Sequence, residues 1–244
     1  MWGNNRVSVI FPTYNEKDSI REAIEDFFAS GYVDEIIVVN NNAAPGTDDE
    51  VRKTKARIVY EQRQGYGFAI WKGLEEATGD VLIIAEPDGT FSGRDVVKLL
   101  AYGDDFEYVV GTRTTRELIW EGANMGVFLK WGNWAVAKMV EFFFNTTTLT
   151  DVGCTMRLIK RPLYERIGPY FTIGTSHFGP ELTLIVIRSG ARLIEIPVNY
   201  RPRVGTSSVT GSAKKAFVLG MKMIALIVKY RFKPNCSGEK PADG

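Results

Sequence analysis

Cysteine is almost missing from this chain: 244 residues carry only Cys154 and Cys236. Two cysteines make no disulfide framework, so the expected setting is a reducing cytoplasm. No N-terminal signal peptide is visible, and no linker or repeat divides the sequence. With 45% hydrophobic content, a chain of this length can bury one sizeable core. Charge excess is missing too. The net charge of +1 argues against a general nucleic-acid binder.

A more local absence is informative. Between Ile196 and Gly238 there is no Asp or Glu, against eight Lys and Arg. Inside this basic stretch, Ala216 to Val228 is apolar except for Lys222, and Lys214, Lys215, Lys229 and Arg231 flank it. That apolar run falls short of the roughly 20 residues that span a bilayer. A basic-flanked apolar helix suits a membrane surface, where each nearby cation is worth about 1 kcal/mol on anionic lipid. The same helix could instead pack in a core or between the subunits of a homodimer. Val127 to Phe144, rich in Trp and Phe, has the same two readings: lipid headgroup level or buried aromatic packing.

Short aliphatic runs, each closed by a polar cluster, fill the first half. Val7 to Phe11 ends at Pro12-Thr13-Tyr14-Asn15-Glu16. Pro12 has no N–H and is expected to stop the strand there, while Asp18 or Ser19 caps a helix carrying Ile20, Ala23, Ile24, Phe27 and Phe28 on one face. Glu35 to Val39 ends in Asn40-Asn41-Asn42. Arg57 to Tyr60 leads to Gln64-Gly65-Tyr66-Gly67-Phe68-Ala69 and a helix expected over Ile70 to Ala77. Val81 to Ala85 ends in Glu86-Pro87-Asp88-Gly89-Thr90, and Tyr108 to Val110 in Gly111-Thr112-Arg113. Strand and helix alternating across residues 7–113 predict an α/β fold with a parallel, right-handed βαβ sheet. In such sheets ligands bind outside the carboxyl ends of the strands, where every one of these clusters falls. Glu86 and Asp88 are paired hard oxygens suited to Mg²⁺ or Mn²⁺. The plainer alternative is a solvated turn bent by Pro87 and Gly89.

Together these clusters resemble the motifs of GT-A glycosyltransferases of family 2. Thr150-Asp151-Val152-Gly153-Cys154-Thr155-Met156-Arg157 is similar to the Asp-x-x-x-Gly-Phe-Arg block of polyprenyl-phosphate glycosyltransferases of the dolichol-phosphate mannose synthase type. Pro180-Glu181-Leu182, Gly190 to Val198, Tyr200, Arg201 and Gly205-Thr206-Ser207-Ser208 follow in that group's order. The resemblance covers roughly residues 6–230. It implies a GT-A (Rossmann-like), mostly parallel central sheet flanked by helices over residues 1–210. An amphipathic, membrane-surface helix over 211–233 and a flexible tail over 234–244 would complete the chain.

The resemblance also implies a chemistry: metal-dependent, inverting transfer of a sugar from a nucleotide diphosphate sugar. Asp88 is the expected direct ligand of Mg²⁺ or Mn²⁺. Glu86, where the family usually has Asp, would bind directly or through water; Thr90 could add an oxygen and His177 could be a late ligand. Pro12, Tyr14, Glu16 and Gly65 would line the nucleotide site with Asn40 and Asn41, which stand where the family offers an Asp. Neutral amides there leave uridine and guanosine both open. Arg113 can reach a phosphate. Asp151 could deprotonate a hydroxyl acceptor or orient the sugar, with Glu181 the rival carboxylate. A polyprenyl phosphate needs no base, only positive charge, for which Arg157, Arg201, Arg203 and the hydroxyls of Ser207 and Ser208 are candidates. A soluble sugar or hydroxyl acceptor is the alternative, as is a scaffold that binds nucleotide without turnover. Association with the cytoplasmic membrane face would be peripheral and salt-sensitive.

Overall fold

A computed structural model describes residues 1–121, 123, 127–205 and 213–233. Among these residues seven strands form one sheet: β1 (Val7–Thr13), β2 (Glu35–Asn40), β3 (Arg57–Tyr60), β4 (Val81–Ile84), β5 (Tyr108–Thr112), β6 (Arg157–Lys160) and β7 (Leu193–Pro197). Their order is β3-β2-β1-β4-β6-β5-β7, and only β6 runs antiparallel to its neighbours. The helices are α1 (Ile20–Ala29), α2 (Thr47–Arg52), α3 (Tyr66–Glu76), α4 (Val96–Gly103), α5 (Val127–Phe144), α6 (Arg161–Ile167), α7 (Phe178–Arg188) and α8 (Ala213–Phe232).

Aliphatic residues fill both faces of the sheet, as continuous apolar strands require when helices cover each side. Ile10, Ile37, Val39, Leu82, Ile84 and Val110 face the core shared with α3, α5, α6, α7 and α8. Their neighbours in the strands, among them Val9, Phe11, Ile36, Val38, Ile83 and Val109, face α1, α2 and α4. Helix α3 lies directly on β1: a Cβ on Gly73 would stand 2.3 Å from Ile10 Cγ2.

Three local expectations need correction. β1 does not stop at Pro12; it continues to Thr13, with Pro12 opposite Val39 of β2. Ile10 turns its carbonyl towards β4, accepting from Ala85 N, so Pro12, two residues on, faces that same side. There β4 has already ended at Ile84, opposite Ile10, so the missing N–H removes no ladder bond. Ser19 occupies the N-cap position of α1, but its side chain accepts from no helix N–H; its hydroxyl donates instead to Pro87 O at 2.7 Å. That bond fastens α1 to the turn bearing Glu86 and Asp88. Helix α3 starts at Tyr66, a turn before the expected Ile70.

Helix α8 packs on α5 and α7. Its Met223, Leu226, Ile227 and Tyr230 are buried, while Val218, Met221, Val228 and Phe232 are exposed. Lys222 and Lys229 share that exposed stripe, which recurs at three- and four-residue steps. Helix α5 divides likewise: Val136, Ala137 and Val140 are buried, and Trp131, Trp134 and Phe142 are exposed. No described helix is long and apolar enough to cross a membrane.

Candidate active site

A cleft of about 740 Å³ opens at the carboxyl ends of the strands. It runs from Pro12 in β1 and Tyr14 just beyond it, past Glu86 and Arg203, to His177 and the α8 residues Leu219 and Met223. Ser207 and Ser208 lie outside the described residues.

The acidic turn after β4 is tightly built. Gly89 has φ +80°, a left-handed conformation that glycine adopts at little cost. Glu86 lines the cleft, whereas Asp88 is not among its lining residues and is 1% exposed. Its Oδ1 accepts from Thr90 N at 2.9 Å and Thr90 Oγ1 at 2.5 Å. Its Oδ2 lies 2.6 Å from Arg203 Nη2 but has no hydrogen-bond donor aligned on it. Distance sets the charge attraction and angle sets the hydrogen bond, so this oxygen has a cation beside it and an unfilled acceptor site. Glu86 Oε2 accepts from the same Nη2 at 3.0 Å. Burial, then the charge of Asp88, pushes the Glu86 carboxyl up to about 7, with Arg203 pulling it back. Its side chain keeps 23% of its surface exposed, and water reaching it moderates that rise.

Thr90 therefore braces Asp88 with its hydroxyl instead of offering a free oxygen. His177 sits at the N-cap of α7, its Nδ1 3.2 Å from Thr175 Oγ1. Burial and the charge of Lys222 lower its pKa, favouring the neutral ring. Among the described residues no three His, Cys, Asp or Glu side chains cluster closely enough to hold an ion, so His177 does not join Glu86 and Asp88.

At the β1 end of the cleft, Glu16 accepts from the backbone N–H groups of Tyr14 and Asn15, at 2.6 and 2.8 Å, and so fixes the loop after β1. Tyr14 is exposed over the cleft. The two asparagines tie loops together. Asn40 donates to Asp48 and accepts from Ala43 N. Asn41 donates to Glu61 O and Arg63 O, both at 2.8 Å, and accepts from Gly65 N at 2.8 Å. Gly65 is irreplaceable at this crossing: φ is +155° and a Cβ would meet Gly174 O at 2.1 Å.

At the other end Arg113, following β5, holds Asp151 in a bidentate pair, Nε to Oδ2 at 2.7 Å and Nη2 to Oδ1 at 2.9 Å. Burial alone would raise the Asp151 carboxyl, but the Arg113 guanidinium overrides it and holds the pKa below the usual value. Arg157 is 2% exposed, and its guanidinium donates to Cys154 O, Val152 O, Gly179 O and the hydroxyls of Tyr108 and Thr183. Glu181 is equally engaged, accepting from Thr172 N and Oγ1, Ile173 N and Tyr230 Oη. Arg201 donates to Ser92 Oγ at 2.7 Å, lies 3.5 Å from Asp26 Oδ2 and stacks over Trp120.

The cleft also contains residues to which the sequence assigns no role: Tyr66, Asn133, Thr155, Leu219 and Met223. Thr155 Oγ1 is buried without a hydrogen-bond partner. Tyr66 follows Gly65 within a recognised motif, and Leu219 and Met223 are one helical turn apart, the only signals that could have singled them out.

A seven-stranded α/β sheet with an acidic turn and a cleft at its strand ends is the GT-A arrangement. The chain belongs to glycosyl transferase family 2, whose model matches residues 8–168, and it is a glycosyltransferase. An uncharacterised glycosyltransferase of Mycobacterium tuberculosis is 28% identical over 216 residues, covering 87% of this chain and 93% of that protein. A dolichyl-phosphate hexose transferase of Haloferax volcanii is 26% identical over 231 residues, covering 93% and 96%. In fold the chain is similar to glucosyl-3-phosphoglycerate synthase of Mycobacterium tuberculosis, crystallised with Mn²⁺, UDP-glucose and phosphoglyceric acid. The TM-score is 0.72 at 15% identity, over 95% of this chain and 82% of that one.

Proposed function

We propose that this glycosyltransferase moves a sugar from a nucleotide diphosphate sugar to a polyprenyl phosphate, with inversion, using Mg²⁺ or Mn²⁺ and working at a membrane surface. The state of the acceptor-side carboxylates carries the choice of acceptor. Asp151 is locked on Arg113 with a lowered pKa, and Glu181 is saturated by four donors. Neither is placed to take a proton from a hydroxyl. A phosphate monoester arrives ionised and needs no base.

The acidic turn fits a divalent cation. Asp88 Oδ2 is a buried acceptor without a hydrogen bond, Glu86 faces the cleft beside it, and an all-oxygen donor set suits Mg²⁺ or Mn²⁺. Bound there, the cation would neutralise charge growing on the departing diphosphate. The chain's own residues do the rest. Thr90 holds Asp88 in one orientation. The Asp151 pair fixes Arg113 in the cleft wall, and the unpartnered Thr155 hydroxyl can bond a sugar hydroxyl. An acceptor phosphate oxygen attacks the anomeric carbon from the face opposite the diphosphate. The bond from that carbon to the diphosphate oxygen breaks, and its electron pair leaves with the nucleotide.

Leu219 and Met223 give the acceptor end an apolar wall suited to a prenyl tail. The exposed stripe of α8, with Lys222 and Lys229 among apolar side chains, suits an anionic bilayer surface. The Haloferax volcanii relative, named for transfer to dolichyl phosphate, supports the same acceptor class.

Labelled UDP- and GDP-sugars, incubated with the protein, Mn²⁺ and membrane lipid extract, test this. Label should enter an organic-soluble, acid-labile product and EDTA should abolish it. Label confined to water-soluble products, with no vesicle binding at low salt, overturns the lipid acceptor.

A further inference from the structure

Four arginines line the cleft: Arg113, Arg157, Arg201 and Arg203. Arg113 is clamped by both oxygens of Asp151, Arg157 is buried among five acceptors, and Arg201 is held by Ser92 and Asp26. Arg203 differs. Its guanidinium rests on Glu86 Oε2 at 3.0 Å and beside Asp88 Oδ2 at 2.6 Å, the two carboxylates proposed to hold the metal.

We infer that Arg203 is a resident counter-ion of the acidic pair, that a divalent cation displaces it, and that the freed guanidinium then binds a phosphate of the reactants. The inference rests on the metal site of the proposed function. Mg²⁺ binds oxygen at about 2.0–2.1 Å. A guanidinium nitrogen 2.6 Å from the same Asp88 oxygen cannot stay there without bringing two cations into contact. Without either cation, two carboxylates two residues apart would repel each other in a partly buried turn.

The backbone around Arg203 is anchored, so the exchange is a side-chain rotation. Arg201 N donates to Thr90 O at 2.8 Å and Val204 N donates to Asp88 O at 2.9 Å. These bonds strap the segment to the turn that carries the acidic pair and keep Arg203 within reach of it. A long, unbranched side chain pivoting between rotamers can leave the carboxylates and still lie in the cleft. A guanidinium matches phosphate by a bidentate fork, so its new partner follows from its chemistry. Metal binding and phosphate recognition become one coupled event: before the cation arrives, the phosphate-binding group is engaged elsewhere.

Mn²⁺ binding to the full chain without nucleotide, followed by the electron paramagnetic resonance of free Mn²⁺, tests the exchange. Arg203→Gln should bind Mn²⁺ on the order of tenfold more tightly than wild type, the usual size of coupling between linked sites. Arg203→Lys should fall between them, and it keeps the test open if the glutamine variant does not fold. The second half is read with a short-chain prenyl phosphate: Mn²⁺ should tighten its binding to wild type but not to Arg203→Gln. Equal or weaker Mn²⁺ binding by both folded variants overturns the inference and leaves the metal site standing. So does an undiminished Mn²⁺ enhancement of prenyl phosphate binding in Arg203→Gln. If wild type and variants all fail to bind Mn²⁺ and turnover persists in EDTA, the proposed metal dependence falls, and the inference with it.

Discussion

Asp88 is braced on one side and open on the other: Oδ1 is fixed by Thr90, and Oδ2 meets only a cation. On the proposed metal site, Asp88→Ala removes a ligand outright. Loss of a charge-neutralising metal costs several kcal/mol at the transition state, or about a thousandfold in kcat/KM. Thr90→Val keeps the backbone bond to Oδ1 and loses only the hydroxyl, so about a tenfold loss is expected. Steady-state rates across a Mn²⁺ titration check both, and near-normal rates in Asp88→Ala would mean that the metal sits elsewhere. Arg157 gives the opposite kind of prediction. Its donors satisfy buried carbonyls and hydroxyls between β5, β6 and α7, so Arg157→Met should lower stability by about 3 kcal/mol through groups left unpaired. Thermal melting reads this directly. An unchanged melting temperature with a raised acceptor KM would restore it as a phosphate ligand.

Arg157 and Arg203 illustrate what a motif can and cannot reveal. Both are cations in a basic, family-like context, and the sequence offers both as phosphate binders. Which one is available depends on partners far along the chain. Glu86 is 117 residues from Arg203. Asn40, Asn41, Glu181 and Arg201 fall on the same side of this limit, because a polar side chain's hydrogen-bonding capacity is finite and local pattern does not say where it is used.

Among the elements, α8 is amphipathic in an unusual sense: one stripe is buried on α5 and α7, and the opposite stripe is still largely apolar. Val228→Glu places a negative charge on that outer stripe without touching the buried one. It should leave the melting temperature within about 1 °C of wild type, as exposed substitutions usually do. Binding to anionic vesicles should fall roughly tenfold or more, since one added charge near the surface opposes the lipid and the apolar contact is lost. Co-sedimentation at low salt measures it, and unchanged vesicle binding would assign this face to something other than lipid. The apolar run and its flanking lysines were plain in the sequence, but the division into two stripes became visible only once the packing partners were known.

For the molecule as a whole, the site edge of the sheet is matched by a stabilising network at the opposite, amino-terminal edge. Glu35, opening β2, accepts from Ser8 Oγ at 2.7 Å, from Thr78 N and Oγ1 at 3.0 Å and from Arg57 Nη2 at 3.2 Å. Burial alone would raise its carboxyl, but these hydrogen bonds outweigh it and hold the pKa below the usual value. A carboxyl lowered by folding contributes stability above its unfolded pKa, about 4.3 for Glu, and loses it as pH falls through the folded value. Glu35→Gln should thus cost about 1–2 kcal/mol at pH 7, and its melting curve should approach that of wild type as pH falls below about 4.3 and through the lower folded value. A difference that does not shrink as pH falls below about 4.3 would point to packing rather than charge.

The sequence by itself determined the strands of the first half, their parallel direction and the edge where the cleft opens. Runs such as Val81 to Ala85 are too apolar to lie anywhere but between two helical layers, and the polar clusters can only emerge where those runs end. It also determined the family, since ordered motifs survive in the linear chain. Only the tertiary structure decided that β6 returns antiparallel between β4 and β5, and that Pro12 lies where no partner strand needs its N–H. It alone decided that Arg203 rests on the acidic pair. Each of these depends on which distant segments meet. That meeting is fixed by packing the whole core at once, and no local spacing encodes it.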